Sequence, residues 1–348
     1  MRRQAWWGIL VAAALVTTAA AEAPPSYDEE MFYTKPDSVF RVPLVGGQPA
    51  YTVIGEVRSY RVRQGDTLWD LARWWGLGYN EIVEANPGMD AWIPPPGATI
   101  LLPLQFVLPC CQYTGVVVNI PEMRLYFYDR REPGMLTITT YPVGLGRDDW
   151  ATPRATFKVR GKTVNPQWNI PESIRKEHIA DRGDARTFIP GGAEDNPLGK
   201  YRMELTLPMY GIHGTNIPWG VGMQVSHGCV RLYPEDIERL FPRVPIGAPG
   251  LFAYQTVKIG ERDGVVYAEV SDDIYGYEPA AYANGMQAAT ARGVADRVDQ
   301  RLLEQAITSS GGIPFRVSPG WDGAPLSPEV EWFGARAKGR VEWEAANN

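Results

Sequence analysis

The sequence predicts a mainly β chain with a small β-α-α-β unit ahead of its largest domain. From Gly115 onward, GVVVNI, MRLYFYD, MLTITTYPVGLG and ATFKVRGK are apolar or alternating runs broken by turn residues, the pattern of a sheet. Thirty prolines spread along the chain suit loops and short strands better than long helices. Helical spacing is confined to a few short stretches, and two of these sit close together between short strands.

Those two stretches lie in residues 59–104, the first compact unit. Tyr60 and Val62 alternate with Arg61 and Arg63, as in a short strand, and Asp66 is placed to cap a helix starting at Thr67. Leu68, Leu71, Ala72 and Trp75 fall on one helical face, and Gly76 ends it. A second helix runs from Asn80 with Ile82 and Val83 inward until Pro87 stops it, and Thr99 to Leu102 is the closing strand. Through Gly65-Asp66-Thr67-Leu68, Asn86-Pro87 and Gly97, the unit resembles a LysM module. The resemblance implies binding of peptidoglycan or chitin glycan through the loops at 65–68 and 86–89; the alternative is a packing domain that binds nothing.

Residues 104–112 form a junction, and the β-rich domain runs over 113–258. Within it, residues 165–200 turn proline- and charge-rich around a short helix near Glu172 to His178. Such a segment inside a β domain reads as a lid or rim over a site. Residues 259–348 form a C-terminal extension; a strand pair over Val257 to Val270 leads into it, and it carries one helical stretch, Gly285 to Ile307. The part after Ser309, rich in Gly and Pro, carries no motif.

At the other end, Arg2 and Arg3 precede an apolar run from Trp6 to Val16 and then small residues through Ala21. This is the pattern of a secretory signal peptide over 1–21, and the run is short of the roughly 20 apolar residues of a spanning helix. No later segment is apolar enough to span a bilayer, so export without an integral membrane segment is expected. Residues 22–58 read as a poorly structured leader, rich in Pro, Asp and Glu. The net charge of −6 argues against nucleic acid as a partner. Three cysteines in an oxidising compartment leave at least one thiol unpaired. Cys110 and Cys111 are adjacent and open to three readings: free, bonded to each other, or capped.

Chemistry concentrates in IHGTNIPWGVGMQVSHGCVRLYPEDIERLF, which holds two of the three histidines with Cys229. A thiol is mostly protonated near neutrality, and a neighbouring imidazole can take that proton and leave a strong nucleophile. Gly228 permits close backbone approach, and successive N–H groups there suit an oxyanion. Pro234 starts a helix that Glu235 and Asp236 favour.

HGTN followed by SHGCVR closely resembles the signature of the YkuD-type L,D-transpeptidases, and the likeness extends over about 113–255 through NIPEMRLY, TPRATF, NPQW, DNPLG and YPEDI. It implies a β-sandwich or barrel with a short helix and a loop lid, in the periplasmic ErfK/YbiS-like branch. It also implies Cys229 as nucleophile and His213 as general base, oriented by the carbonyl of Gly214. His227 flanks the nucleophile, and Gly228 and Cys229 supply oxyanion donors. Arg231 is suited to a substrate carboxylate, and Ser226, Thr215 and Trp168 fall on the substrate side. Ser226 reads equally as a structural residue or as one that orients His227, and Trp168 as a packed aromatic. Ala155, where many members have glycine, and Arg231, where many have asparagine, depart from the pattern.

The implied reaction is attack on a peptidoglycan tetrapeptide stem, loss of D-alanine, and transfer to an amine of another stem or of an outer-membrane lipoprotein's lysine. No cofactor or metal is implied. His213, His227 and Cys229 are all zinc ligand types, but a fourth ligand is missing. Two other functions share the motif: an L,D-carboxypeptidase passing the acyl group to water, and an inert wall-binding adaptor. His178, on a short polar helix, reads as a surface residue.

Overall fold

A computed structural model describes residues 29–309 and 311–319. The expected signal peptide and the chain from Gly320 onward lie outside the described residues. The frame is a ten-stranded sheet. From one edge to the other its order is Val230–Arg231, Gly211–His213, Tyr201–Leu205, Ala155–Val164, Pro249–Ala253, Gly115–Asn119, Arg124–Asp129, Met135–Pro142, Val39–Val45 and Gln48–Pro49.

The central strands are buried along almost their whole length because both faces of the sheet are covered. Val116, Val118, Leu125 and Phe127 point into one core with Phe157, Met203, Ile212, Val230 and Phe252. Val117, Tyr126 and Tyr128, one residue out of phase, point into a second core with Leu68, Leu71, Ile82, Ile100 and Leu102 of the small unit. The small unit is therefore half of a sandwich whose other half is the sheet.

Inside that unit the strands Arg58–Arg61 and Thr99–Leu102 pair antiparallel around the helices Leu68–Trp75 and Tyr79–Ala85. The first helix is capped by Thr67, whose Oγ1 accepts from the Asp70 N–H at 3.1 Å, one residue beyond the expected Asp66. Asp66 is instead buried and accepts from Tyr60 Oη and the Arg63 N–H. Gly76 closes the helix at φ 68°, a left-handed position that favours glycine. Asn86 ties the second helix to the last strand, donating to Ile82 O and Leu101 O and accepting from the Leu101 N–H.

Two expectations are corrected. Residues 22–58 are not an unstructured leader throughout: Val39–Val45 pairs with Met135–Pro142 as the ninth strand of the sheet, and Val42 is fully buried. The acidic and proline-rich composition masked the short apolar run VFRVPLV. In the C-terminal part, the single helix over Gly285 to Ile307 is two, Ala281–Arg292 and Gln300–Ser309. Gly293, at φ 71°, caps the first and turns the chain. Both pack on a three-stranded sheet of Val257–Arg262, Val265–Val270 and Phe315–Arg316 over their own apolar core. Cys110 and Cys111 are disulfide-bonded to each other. Among the described residues no helix is long and apolar enough to cross a membrane.

Candidate active site

The site lies at the edge of the sheet where three short strands meet. Ile212 and Val230, fully buried, anchor the strands Gly211–His213 and Val230–Arg231 in the core. Alternation then sends their neighbours to the opposite face. The two strands are parallel, with His213 opposite Arg231; on the other side His213 stands opposite Arg202. Cys229 directly precedes the strand Val230–Arg231, and both it and His213 feel the charges of Arg202 and Arg231. Neighbouring parallel strands thus bring the cysteine and histidine singled out from the sequence to one edge of the sheet. Cys229 is partly exposed and His213 is buried.

His213 Nδ1 lies 2.7 Å from Gly214 O. A carbonyl only accepts, so Nδ1 carries the hydrogen and, in the neutral ring, Nε2 keeps the lone pair. Burial, then the positive charges of Arg231 and Arg202, lower the His213 pKa to about 3. The same burial pushes the Cys229 thiol up, against the downward pull of a hydrogen bond from the Gly211 backbone and of the two guanidiniums. At neutral pH the resting pair is thiol and neutral imidazole. Cys229 Sγ is 3.5 Å from Met209 O.

The loop before Cys229 is held from within. Ser226 Oγ donates to Cys229 O at 2.6 Å and accepts from the Gly228 N–H at 3.1 Å. Ser226 is buried, so it shapes the turn before Cys229 and is not an exposed contact. The Gly228 N–H is engaged there too; of the two oxyanion donors expected, it is not free. Gly228 sits at φ 99°, and a methyl group on it would come within 2.7 Å of Tyr210 Cε1. Thr152 Oγ1 donates to Gly228 O at 3.0 Å. Thr215 is buried as well, with its hydroxyl accepting from the Ile217 N–H; it organises the 215–217 turn and is not a substrate contact.

The proline-rich segment forms a lid with its own small core of Ile170, Ile174 and Ile189. Trp168 packs against that core and edge-on to His178, the packed-aromatic alternative. His178 is half-buried there. The lid helix, Glu172–Arg182, is fastened to the site by Glu177, which accepts from His227 Nε2 at 2.9 Å and pairs with Arg147 at 3.5 Å. The hydrogen bond from His227 holds the Glu177 carboxyl below the usual range. Trp150 meets the His227 ring edge-on. Arg202, Glu177, Arg147 and Tyr210 were not expected from the sequence, because each reaches the site through pairing or packing with distant segments.

Residues 113–259 match the L,D-transpeptidase catalytic domain family, YkuD, and residues 60–103 match the LysM domain. Fold and motif together define a catalytic domain of that class joined to a LysM domain. The chain is 35% identical over 279 residues to the probable L,D-transpeptidase YbiS of Escherichia coli (strain K12), covering 76% of this chain and 89% of that one. It is 32% identical over 281 residues to the probable L,D-transpeptidase ErfK/SrfK of Salmonella typhimurium, covering 78% and 89%. The chain belongs to the L,D-transpeptidase family. A solved L,D-transpeptidase from Mycobacterium smegmatis overlaps 39% of this chain and 57% of that one at 19% identity, with a TM-score of 0.29.

Proposed function

We propose that this protein is an exported, periplasmic, cysteine-dependent L,D-transpeptidase acting on peptidoglycan tetrapeptide stems, with Cys229 as nucleophile and His213 as base. The observation that carries the reading is the His213 tautomer: Nδ1 is engaged by Gly214 O, and Nε2 is left as the proton acceptor of a ring that shares Arg202 and Arg231 as neighbours with Cys229.

The thiol and the imidazole are both neutral at rest, so proton transfer accompanies attack and does not precede it. Cys229 Sγ adds to the donor carbonyl as its proton moves to His213 Nε2. The Cys229 N–H faces the developing oxyanion. The amide C–N bond then breaks, D-alanine leaves with the proton returned by His213, and a thioester remains on Cys229. An amine from a second stem or from a lipoprotein lysine attacks the thioester, gives its proton to His213, and restores the thiol. The LysM unit holds glycan, and the chain is organised as a signal peptide over 1–21, LysM over 59–104, a catalytic domain over 113–258 and an extension over 259–348.

Purified protein incubated with disaccharide tetrapeptide tests this by mass spectrometry of the products. Loss of D-alanine is expected, with cross-linked dimers, or with lipoprotein adducts when an acceptor lipoprotein carrying a free lysine is added. Tripeptide alone indicates the hydrolase on the same fold; unchanged substrate with both wild type and Cys229→Ala indicates the inert adaptor.

A further inference from the structure

Two arginines on the site face lack an anionic partner. Arg202, His213 and Arg231 stand in one cross-strand row, Arg202 opposite His213 on one side and Arg231 opposite it on the other. Register partners share a face, so both guanidinium-bearing chains flank the base. Among the described residues neither arginine pairs with a carboxylate, and the Nε of each is buried without a hydrogen-bond partner. The Arg202 side chain lies over Gly211: a methyl group there would meet its Nε at 3.2 Å. Gly211 is also the residue whose backbone bonds to Cys229. Elsewhere among the described residues Arg73 pairs with Glu235 and Arg124 with Glu81, and Arg292, whose Nε is likewise unpartnered, donates its other nitrogens to Tyr113 Oη and Leu108 O. Leaving two unpaired cations beside a buried base costs stability unless a ligand supplies the charge.

We propose that Arg202 and Arg231 form a clamp for a carboxylate of the acyl donor, on the leaving residue or on the side chain of the residue that is acylated, which makes Arg202 a substrate-binding and specificity residue. The inference rests on the proposed transpeptidase reading and adds to it the second arginine and the charge it reads. Planar guanidinium forks match a carboxylate through two parallel N–H···O bonds, which an ammonium or an amide cannot reproduce. Two carboxylates of a tetrapeptide stem qualify: that of the departing terminal D-alanine, and the free one on the diaminopimelate side chain.

The test compares three donors, the free acid, the C-terminal amide and the diaminopimelate-side-chain amide, with wild type, Arg202→Gln and Arg202→Lys. For wild type, kcat/KM is expected to fall about 10- to 100-fold on one of the two amides, in the range of a lost charge-assisted hydrogen bond. That amide names the carboxylate. Arg202→Gln should lose as much on the free acid and nothing more on the same amide, with Arg202→Lys between them. Equal losses of Arg202→Gln on all donors, or indifference of wild type to both amides, would overturn the clamp and leave the arginines as partners of the thiolate alone. A second readout needs no turnover and no Arg202 variant: in Cys229→Ala, the His213 imidazole followed by NMR should titrate at higher pH when the acid donor is added. No rise would overturn the clamp; a rise together with no D-alanine release by wild type would sink the transpeptidase reading and keep the clamp.

Discussion

Arg124, wholly buried in the middle of the sheet, is gripped by Glu81 of the small unit through Nη2 at 2.7 Å and Nε at 2.8 Å, and also donates to Gly76 O at 3.0 Å. Around it, the Tyr79 N–H donates to Val221 O at 3.2 Å, and Tyr233 Oη donates to Leu77 O at 3.2 Å. Arg73 is held by Glu235, in the helix Pro234–Leu240 that follows the strand Val230–Arg231. The LysM unit is therefore built into the support of the active site.

Glu81→Gln should cost about 3 kcal/mol, the range for breaking a buried charge pair from one side. Because the same core runs through both units, unfolding in denaturant should remain one transition followed alike by tryptophan fluorescence and circular dichroism. Two separated transitions would show the LysM unit to be an independent module.

The low pKa of His213, about 3, has a consequence for stability. Its folded value lies below the ordinary 6.5 of the unfolded chain, so the unfolded state binds the proton first as pH falls. The contribution of His213 is complete above pH 6.5 and is lost as pH drops from there toward about 3. The NMR signal of His213 should stay that of a neutral, Nδ1-protonated ring at pH 5, and alkylation of Cys229 by iodoacetamide should climb with pH only in the thiol range, without a step near 6.5. An imidazolium signal at pH 5 would contradict this.

Gly228→Ala should remove activity almost completely, because a Cβ there needs both a left-handed backbone and the space held by Tyr210. Its thermal stability should also fall by an amount a calorimeter resolves. Wild-type turnover in Gly228→Ala would show that the turn is not held as described.

The lid latch is weaker. Glu177 and His227 are partly exposed, so the pair is worth at most about 1 kcal/mol. Glu177→Gln should leave the global midpoint almost unchanged while hydrogen exchange over 172–182 speeds up a few-fold. Unchanged exchange would mean that the helix is held by Ile174 and its neighbours alone.

Local pattern made much of this legible in advance. The helix face of Leu68, Leu71 and Ala72, the glycine stop at Gly76 and the lid helix near Glu172 are written in spacing and in cap residues, which act over a few positions. The pair of Cys229 with His213 was legible as chemistry. Arg202 was not, since only the pairing of Tyr201–Leu205 with Gly211–His213 brings it beside the base, and antiparallel register cannot be read from either strand alone. Ser226 and Thr215 look like substrate contacts in a motif, yet their burial is decided by how the turn closes. The strand Val39–Val45 was hidden by its surroundings, because composition averages over the few residues that enter the sheet.

The intact mass of the protein after brief exposure to tetrapeptide donor bears most directly on Cys229 and His213. The expected result is a gain equal to the donor less D-alanine, carried by the peptide that contains Cys229 and missing in His213→Ala. An adduct that forms as fast without His213, or one found on any other residue, would contradict it.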